Sequence, residues 1–270
     1  MTITALPTKP DEPDISMTGF RWLIYGDPKS GKTSLVAQFP NHFIVQADDG
    51  CKGMRVSGLR VKSWDDICDV VDLLVNRKDH GYDSVAIDTM EAFYQIVCAS
   101  VAEEAGVDQI GRIAHGAGWA TAGMRLKTVL DMLTDAGLCT LAICHARQIQ
   151  VAQGQIEIQK WVPALSDSPR RAVMAWADMI VYVQVERQGY VPEPENDDDE
   201  AIEIEQLLRY AVCVPRPEVE AGGRIEGMPP KVLLSPDPPT GFKNLKEAFE
   251  TAAAAQLARL TKPSRKGRKR

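Results

Sequence analysis

A glycine-rich segment, GDPKSGKT, lies between an apolar run and a helical segment. It matches the pattern G-x-x-x-x-G-K-[ST], in which backbone N–H groups at a helix N-terminus surround phosphates. The lysine adds positive charge for the β and γ phosphates, and the following hydroxyl is placed for Mg²⁺. The sequence therefore predicts a nucleoside triphosphate site, with Lys32 as its catalytic cation and Thr33 as a metal ligand. The predicted binding residues are Gly26, Asp27, Pro28, Lys29, Ser30, Gly31, Lys32, Thr33 and Ser34.

Polar side chains that end apolar strands form a second set of candidate groups. Asp88 ends the run SVAID, where a carboxylate can orient the water shell of Mg²⁺. Asp48 and Asp49 follow the run HFIVQA and are candidates to polarise the attacking water, with Asp49 preferred. His145 ends the run LCTLAICH and is placed to sense the γ phosphate. The alternatives are a solvated turn for the two aspartates and a satisfied core histidine.

Strands and helices alternate along the chain and must position these groups. Short apolar runs such as FRWLIY and SVAID predict buried strands, and apolar residues at helical spacing predict helices between them. This order predicts an α/β fold with a mainly parallel sheet flanked by helices. We expect a disordered leader at 1–18, a core at 19–250 with an acidic insertion at about 190–204, and the end of a helix with a basic flexible tail at 251–270.

Composition narrows the class of protein. The six cysteines lack metal-ligand spacing, which favours reduced thiols in the cytoplasm. Neither a signal-peptide pattern nor a run of ~18 apolar residues is present, so we expect no membrane partner. Net charge is −6, yet the segment KPSRKGRKR at the end is strongly basic. Such a tail either attracts nucleic-acid phosphates or keeps the chain end solvated.

Motifs beyond the phosphate loop narrow the choice among P-loop proteins. The N-K-x-D segment of switch GTPases is absent, and no arginine-bearing lid of a small-molecule kinase is evident. The segments HGAGWATAGMRLKTVLDMLTDAG, LAICHARQ and SPRRAVMAWADMIVYV resemble parts of the central core of RecA. With GDPKSGKT, QADDG and VAIDT, the whole is similar to the short RecA-like phage ATPases, the Sak-type single-strand annealing proteins. The resemblance covers roughly residues 19–250 and implies a RecA-like P-loop NTPase core.

The resemblance also implies cofactors and partners. It implies ATP and Mg²⁺ as cofactors, single-stranded DNA as a partner, an oligomer or filament, and cooperation with a single-strand DNA-binding protein. Two loops, 106–118 and 148–168, would face the DNA; the alternative for the second is a surface hairpin with Trp161 packed on the core. A lysine from a neighbouring protomer, Lys243 or Lys231, would reach the γ phosphate. The candidate DNA-binding residues are Arg112, His115, Lys160, Trp161, Arg170 and Arg171 of the core, and Arg265, Lys266, Arg268, Lys269 and Arg270 of the tail.

Two positions depart from the family pattern. Asp48 and Asp49 stand where the family tends to place Glu, and His145 stands where RecA has Gln. The shorter carboxylates favour slow turnover. The leading hypothesis is an ATP-dependent protein that binds and anneals single-stranded DNA in phage recombination or replication, in the bacterial host cytoplasm, with slow, DNA-stimulated hydrolysis. The alternatives are an AAA-like ATPase that loads or remodels a replication protein, and a nucleotide-gated scaffold that does not hydrolyse.

Overall fold

The computed structural model describes residue 8 and residues 13–77, 79–154, 156–190, 204–234 and 238–261. The expected leader and the expected acidic insertion therefore lie largely outside the described residues. The basic tail, with Arg265, Lys266, Arg268, Lys269 and Arg270, lies entirely outside them.

Strands and helices alternate through most of the described chain. The strands are β1 (Trp22–Gly26), β2 (His42–Gln46), β3 (Gly58–Arg60), β4 (Ser84–Asp88), β5 (Cys139–Gln153), β6 (Ile156–Pro163), β7 (Met179–Tyr190), β8 (Ile204–Val212), β9 (Gly222–Gly223) and β10 (Val232–Leu233). The helices are α1 (Lys32–Val36), α2 (Trp64–Asn76), α3 (Met90–Glu104), α4 (Ala117–Asp135), α5 (Asp167–Trp176) and α6 (Pro238–Leu260). Short 3-10 turns lie at Met17–Gly19, Ile110–Arg112 and Ala114–Gly116.

The central sheet has the strand order β10-β8-β7-β1-β5-β4-β2-β3. Its middle, from β7 to β3, is parallel throughout, whereas β8, β9 and β10 add antiparallel strands at one side. Strands covered on both faces by helices must be apolar throughout, which explains why all five residues of β1 are buried. The predicted α/β class, a mainly parallel sheet flanked by helices, is confirmed.

The strand register brings several chain segments to one edge of the sheet. Gly26 of β1 is level with His145 of β5, and Asp88 of β4 is level with Gln46 of β2. Parallel strands all point their carboxyl ends to the same edge, so the residues that follow them meet there. Strand β5 lies between β1 and β4, and the phosphate loop therefore faces Asp88 across the end of β5.

Two apolar cores lie on opposite faces of the sheet. One contains the inward residues of α2, α3, α4 and α5, and the other contains those of α1 and α6. Along β1, Leu23 and Tyr25 enter the first core while Trp22 and Ile24 enter the second, as strand alternation requires. Both faces of β1 are thereby anchored, so its end holds the phosphate loop in a defined position.

The segment 148–168, expected as a DNA-facing loop, is mostly a β-hairpin. Strand β5 continues past the central sheet and pairs with β6 from Ala146 to Gln153. Gly154, with φ of +68°, lies at its tip. In QIQV, Gln148 and Gln150 are exposed, whereas Ile149 and Val151 are half-buried. This alternation is typical of a strand with one exposed face, as the surface-hairpin alternative expects. Among the described helices, none is both long and apolar enough to cross a membrane.

Phe249 anchors α6 to the sheet. Its ring is fully buried, 5.1 Å from the ring of Phe20 and 5.5 Å from that of Trp22. We expect Phe249→Ala to lower the free energy of unfolding by about 3–5 kcal/mol, since burial and packing contacts are both lost. Leu260→Ala, on the same helix but 65% exposed, should change it by less than about 0.5 kcal/mol. Urea unfolding of both variants checks this, and equal effects would contradict it.

Candidate functional site

The predicted phosphate loop forms where β1 meets α1. Gly31 has φ of +95°, a conformation that favours glycine, and α1 begins at the next residue. A Cβ on Gly26 would lie 2.6 Å from the carbonyl oxygen of Val183, so only glycine fits there. Ser30 is buried, and its Oγ has no hydrogen-bond partner within the described part of the chain. The loop therefore has a hydroxyl without a hydrogen-bond partner at the place where the motif predicts phosphate.

Lys32 and Thr33 begin α1 at this loop. Lys32 Nζ donates to the carbonyl oxygens of Gly26 (2.9 Å) and Asp27 (2.8 Å), and burial lowers the pKa of its ammonium. Thr33 Oγ1 donates to Asp88 Oδ2 at 2.7 Å. Burial raises the pKa of Asp88, and the neighbouring charge of Asp48 acts in the same direction. The structure thus brings together the cation, hydroxyl and carboxylate that the sequence predicted for this site.

The two adjacent aspartates after β2 have different surroundings. Asp48 Oδ2 accepts a hydrogen bond from Thr89 Oγ1 (3.0 Å), and Oδ1 accepts one from the N–H of Gly50 (2.8 Å). Asp49 forms an ion pair with Arg60 of β3, and its side chain is 71% exposed. Asp48 is therefore the carboxylate held beside Asp88. Asp49 also lines the cavity, and the preference for it that the sequence suggested stays a prediction. The hydrogen bonds from Thr89 and Gly50 make Asp48 the more firmly held candidate.

His145 lies at the same edge, in contact with a residue that sequence reasoning missed. Its main-chain N–H donates to Glu91 Oε1 at 2.6 Å, and its Nδ1 is 4.0 Å from that oxygen. Burial raises the pKa of Glu91. Glu91 lies in the first turn of α3, three residues after Asp88, a position where an acidic side chain is common for helix-dipole reasons. An acidic residue in the first turn of a helix therefore does not show from sequence whether it only stabilises the helix or also holds His145 in the site.

These groups surround a cavity of about 560 Å³. Its lining includes polar groups, namely residues 28–34, Asp48, Asp49, Asp88 and His145, and apolar side chains, namely Leu35, Met54 and Leu234. This volume lies in the range of small-ligand sites, and the mixture of polar and apolar groups suits a nucleotide, which has both phosphates and a base. Arg209 of β8 also lines the cavity. It interrupts the apolar run QLLRYAV and was not among the site residues predicted from the sequence.

The residues present also fit Mg²⁺ bound together with a nucleotide. Among the described residues, no group of three or more His, Cys, Asp or Glu side chains could hold a metal ion by itself. Mg²⁺ is commonly bound through one or two protein groups together with substrate phosphates and waters. Thr33 and Asp88 provide such a partial set of oxygen ligands.

The first predicted DNA-facing loop is exposed but partly paired. Arg112 forms an ion pair with Asp108 at 3.0 Å. His115 is exposed, with φ of +55° between two helical turns. Both residues lie away from the nucleotide cavity lining. The loop leaves His115 accessible and holds Arg112 beside a carboxylate.

The predicted residues of the second loop lie on the β5–β6 hairpin and on α5. Lys160 forms an ion pair with Glu220, and Trp161 stacks on Tyr182 with ring centroids 6.0 Å apart. Arg170 forms an ion pair with Asp167 at 3.0 Å, and Arg171 is exposed. The alternative with Trp161 packed against the core describes this arrangement better than a mobile loop does. Arg147, which the sequence analysis did not single out, also approaches Asp167 at 3.4 Å.

The two lysines proposed to act on a neighbouring protomer lie outside the cavity lining. Lys231 forms an ion pair with Glu186, and its Nζ lies 5.2 Å from the centre of the Tyr210 ring. Lys243 is 70% exposed, with Nζ 3.8 Å from Glu247. Lys243 is the more accessible of the two, since its nearest partner is on an exposed helix face.

The strand–loop–helix unit and the Thr33–Asp88 pair define the class of protein, the P-loop ATPase superfamily. A family model described as an AAA domain, AAA_24, matches residues 18–225, and the chain belongs to this family. No curated protein matches the chain. A similar solved structure is that of a KaiC-like protein from the hyperthermophilic archaeon Pyrococcus horikoshii OT3, with 12% sequence identity. That match covers 82% of this chain and 88% of the other, with a TM-score of 0.43.

Proposed function

We propose that the protein binds Mg-ATP at the phosphate loop, hydrolyses it slowly, and uses it to control a surface that binds and anneals single-stranded DNA. The observation that carries this proposal is the continuity of β5. The strand runs from the central sheet through His145, in the nucleotide cavity, to Gln153 near the hairpin tip. In this proposal, a displacement of His145 by the nucleotide would move the strand that also forms the hairpin.

Each residue of the site has a part in this chemistry. Lys32 would contact the β and γ phosphates, and Thr33 and Asp88 would hold Mg²⁺, which neutralises charge on the phosphates when bound. Asp48 would accept a proton from the attacking water, and Thr89 would orient Asp48 through its hydroxyl.

Contacts of His145 support the coupling between the cavity and the hairpin. Its N–H is bound to Glu91 at the start of α3, and its carbonyl oxygen accepts from the N–H of Ala164, just after β6 (2.9 Å). The main chain of His145 is thus tied to the start of α3 on one side and to the end of β6 on the other. A shift of its imidazole toward or away from a γ phosphate would change the position of β6 relative to the sheet.

A basic groove beside the hairpin supports nucleic acid as the partner. The groove, of about 310 Å³, lies between β5, β6 and α5. Its lining includes Lys160, Arg170 and Arg171, together with Glu220. Phosphates could replace the carboxylates of Asp167 and Glu220 as partners of these cations, and each neutralised phosphate would release counterions from the nucleic acid. In this proposal the protein acts as an oligomer on unpaired strands, alongside a single-strand DNA-binding protein.

An AAA-like ATPase that loads or remodels a replication protein is the second candidate. It is favoured by the pairing of several predicted DNA contacts with acids, such as Lys160 with Glu220 and Arg112 with Asp108. The net charge of −6 points the same way, because non-specific DNA binding is mainly electrostatic.

One experiment separates the two candidates. ATP turnover is measured for the intact chain with and without single-stranded DNA, together with the annealing rate of complementary strands with and without ATP. The proposal expects DNA to raise turnover several-fold and ATP to change annealing. ATP turnover that is unchanged by DNA but raised by a replication protein would establish the second candidate. Nucleotide binding without any turnover would establish a gated scaffold.

His145→Ala tests the coupling step. We expect the variant to keep its affinity for Mg-ATP within about threefold, because the main-chain contacts of residue 145 remain, but to lose most of the DNA stimulation. His145→Gln should retain more of it, since an amide can still hydrogen bond to a phosphate. The ratio of turnover with DNA to turnover without DNA is the measurement. A ratio equal to that of the wild type in His145→Ala would exclude this route of coupling.

A further inference from the structure

Arg209 occupies a position in the cavity that the phosphate-loop motif does not account for. It is level with Val185 of β7, and Val183, two residues earlier, is level with Gly26 at the end of β1. Arg209 therefore lies beyond the end of β1, near the phosphate loop. Ala211, two residues along β8, packs in the same core as the residues of α1. Because alternate residues of a strand share a face, Arg209 lies on the face of the sheet that carries α1.

The side chain of Arg209 lies against the phosphate loop. Its Cδ and Nε lie 3.1 and 3.3 Å from the position that a Cβ on Gly31 would occupy. The absence of a side chain at Gly31 thus leaves the room that the arginine fills. The main chain of Arg209 is held in place, since its carbonyl oxygen accepts from the N–H of Leu234 at 2.7 Å.

The guanidinium of Arg209 lacks a partner in the described part of the chain. Its Nε is buried and makes no hydrogen bond there, and no described carboxylate forms an ion pair with it. By contrast, Arg187 on β7, the strand paired with β8, forms an ion pair with Glu205. Arg21 and Arg224 both pair with Asp178. A buried, unpaired N–H of a charged group is costly. Such a group beside a phosphate loop has an anion as its natural partner.

We propose that Arg209 is a phosphate-binding residue supplied by the same chain, which contacts the phosphates of the nucleoside triphosphate held by Lys32 and the loop. This inference rests on the proposed nucleotide binding. It adds a phosphate contact and assigns that contact to the same chain. A planar guanidinium offers several N–H donors at fixed angles and is well suited to phosphate oxygens. Since β8 belongs to the same sheet as the loop, this contact needs no neighbouring protomer, unlike the contacts expected of Lys231 or Lys243.

Nucleotide affinity tests the proposal directly. The dissociation constant of a non-hydrolysable ATP analogue with Mg²⁺ is measured by calorimetry for the wild type, Arg209→Ala and Arg209→Lys. Loss of charge-assisted hydrogen bonds to phosphate should weaken binding about 10- to 100-fold in Arg209→Ala. Arg209→Lys should recover part of this loss, because it restores the charge but not the fork of donors. A lost contact that was only structural would not be rescued by lysine in this way.

Arg187→Ala is the matched control. It removes an arginine from β7, the strand paired with β8, but this arginine is 76% exposed and paired with Glu205. Its affinity should stay within about twofold of the wild type. Thermal unfolding without nucleotide reports whether each variant is folded. If the wild type binds no Mg-ATP, the proposed function fails and this inference with it; if the wild type binds and Arg209→Ala binds equally well, only the inference fails.

A mixing experiment tests whether Arg209 acts within its own chain. Lys32→Ala protomers keep Arg209 but lack the loop lysine, so they could donate Arg209 to a neighbour. Mixed with Arg209→Ala protomers, they should give no more ATP turnover than the Arg209→Ala protein alone. Recovery of turnover in the mixture would show that the arginine crosses an interface, and would overturn the same-chain assignment.

Discussion

Replacing Asp48 by Asn is expected to lower kcat for ATP hydrolysis by about 10²- to 10⁴-fold, the usual contribution of a positioned general base. The affinity for Mg-ATP should stay within about threefold of the wild type, because the predicted phosphate contacts come from other residues. Asn can keep the hydrogen bond from the N–H of Gly50 through its Oδ1, so the local turn should be preserved. What is lost is a carboxylate that can accept a proton.

Asp49→Asn is the matched control for this experiment. It makes the same change of one atom and one charge at the adjacent position, where the carboxylate is exposed and paired with Arg60. Its kcat should remain within about twofold of the wild type. Single-turnover kinetics with saturating Mg-ATP measures both variants. A larger loss of kcat in Asp49→Asn than in Asp48→Asn would support Asp49 as the general base, as the sequence suggested.

The choice between these two aspartates shows where sequence reasoning reaches its limit. Two adjacent carboxylates after a buried strand predict that one of them enters the site, and this follows from the sheet geometry alone. Both line the cavity, and which one is held beside Asp88 depends on tertiary partners, namely Thr89 after β4 and Arg60 on β3. Neither partner is near in sequence, so the spacing of residues could not decide between them.

The fold was more predictable than its surface features. Runs such as FRWLIY and SVAID are apolar throughout because helices cover both faces of the sheet, and they predicted β1 and β4. The hairpin of β5 and β6 was predicted only as the alternative to a DNA-facing loop, although Ile149 and Val151 alternate with exposed glutamines. A polar stretch with many glutamines resembles a loop in composition, and its period of two is the only signal that separates the two structures.

Arg209 was missed for a different reason. Its place beside the loop depends on the antiparallel register of β7 and β8, which pairs Val185 with Arg209 across a long connection. The sequence predicts both strands but contains no signal for their register, because the connection is not a tight turn. The sequence predicted Lys231 or Lys243 as the additional cation that contacts the γ phosphate. The cavity lining contains neither of them.

The second large expected effect concerns Lys32. Lys32→Ala should weaken binding of Mg-ATP by about 100-fold or more, and turnover should fall below detection. The ammonium is buried and bound to two main-chain carbonyl oxygens, which fixes it at the phosphate loop. Charge-assisted hydrogen bonds contribute roughly 1.5–3 kcal/mol each, and two phosphate contacts together are enough for such a loss.

Lys29→Ala separates this effect from a general loss of positive charge. Lys29 belongs to the same loop and has the same charge, but its side chain is exposed. Its removal should weaken binding by only a few-fold, and added salt should reduce that difference, because exposed charges are screened. The deficit of Lys32→Ala should persist in salt, since its ammonium lies in a buried position that salt screens poorly. Equal losses in the two variants, both abolished by salt, would mean that the loop attracts nucleotide only through its overall charge.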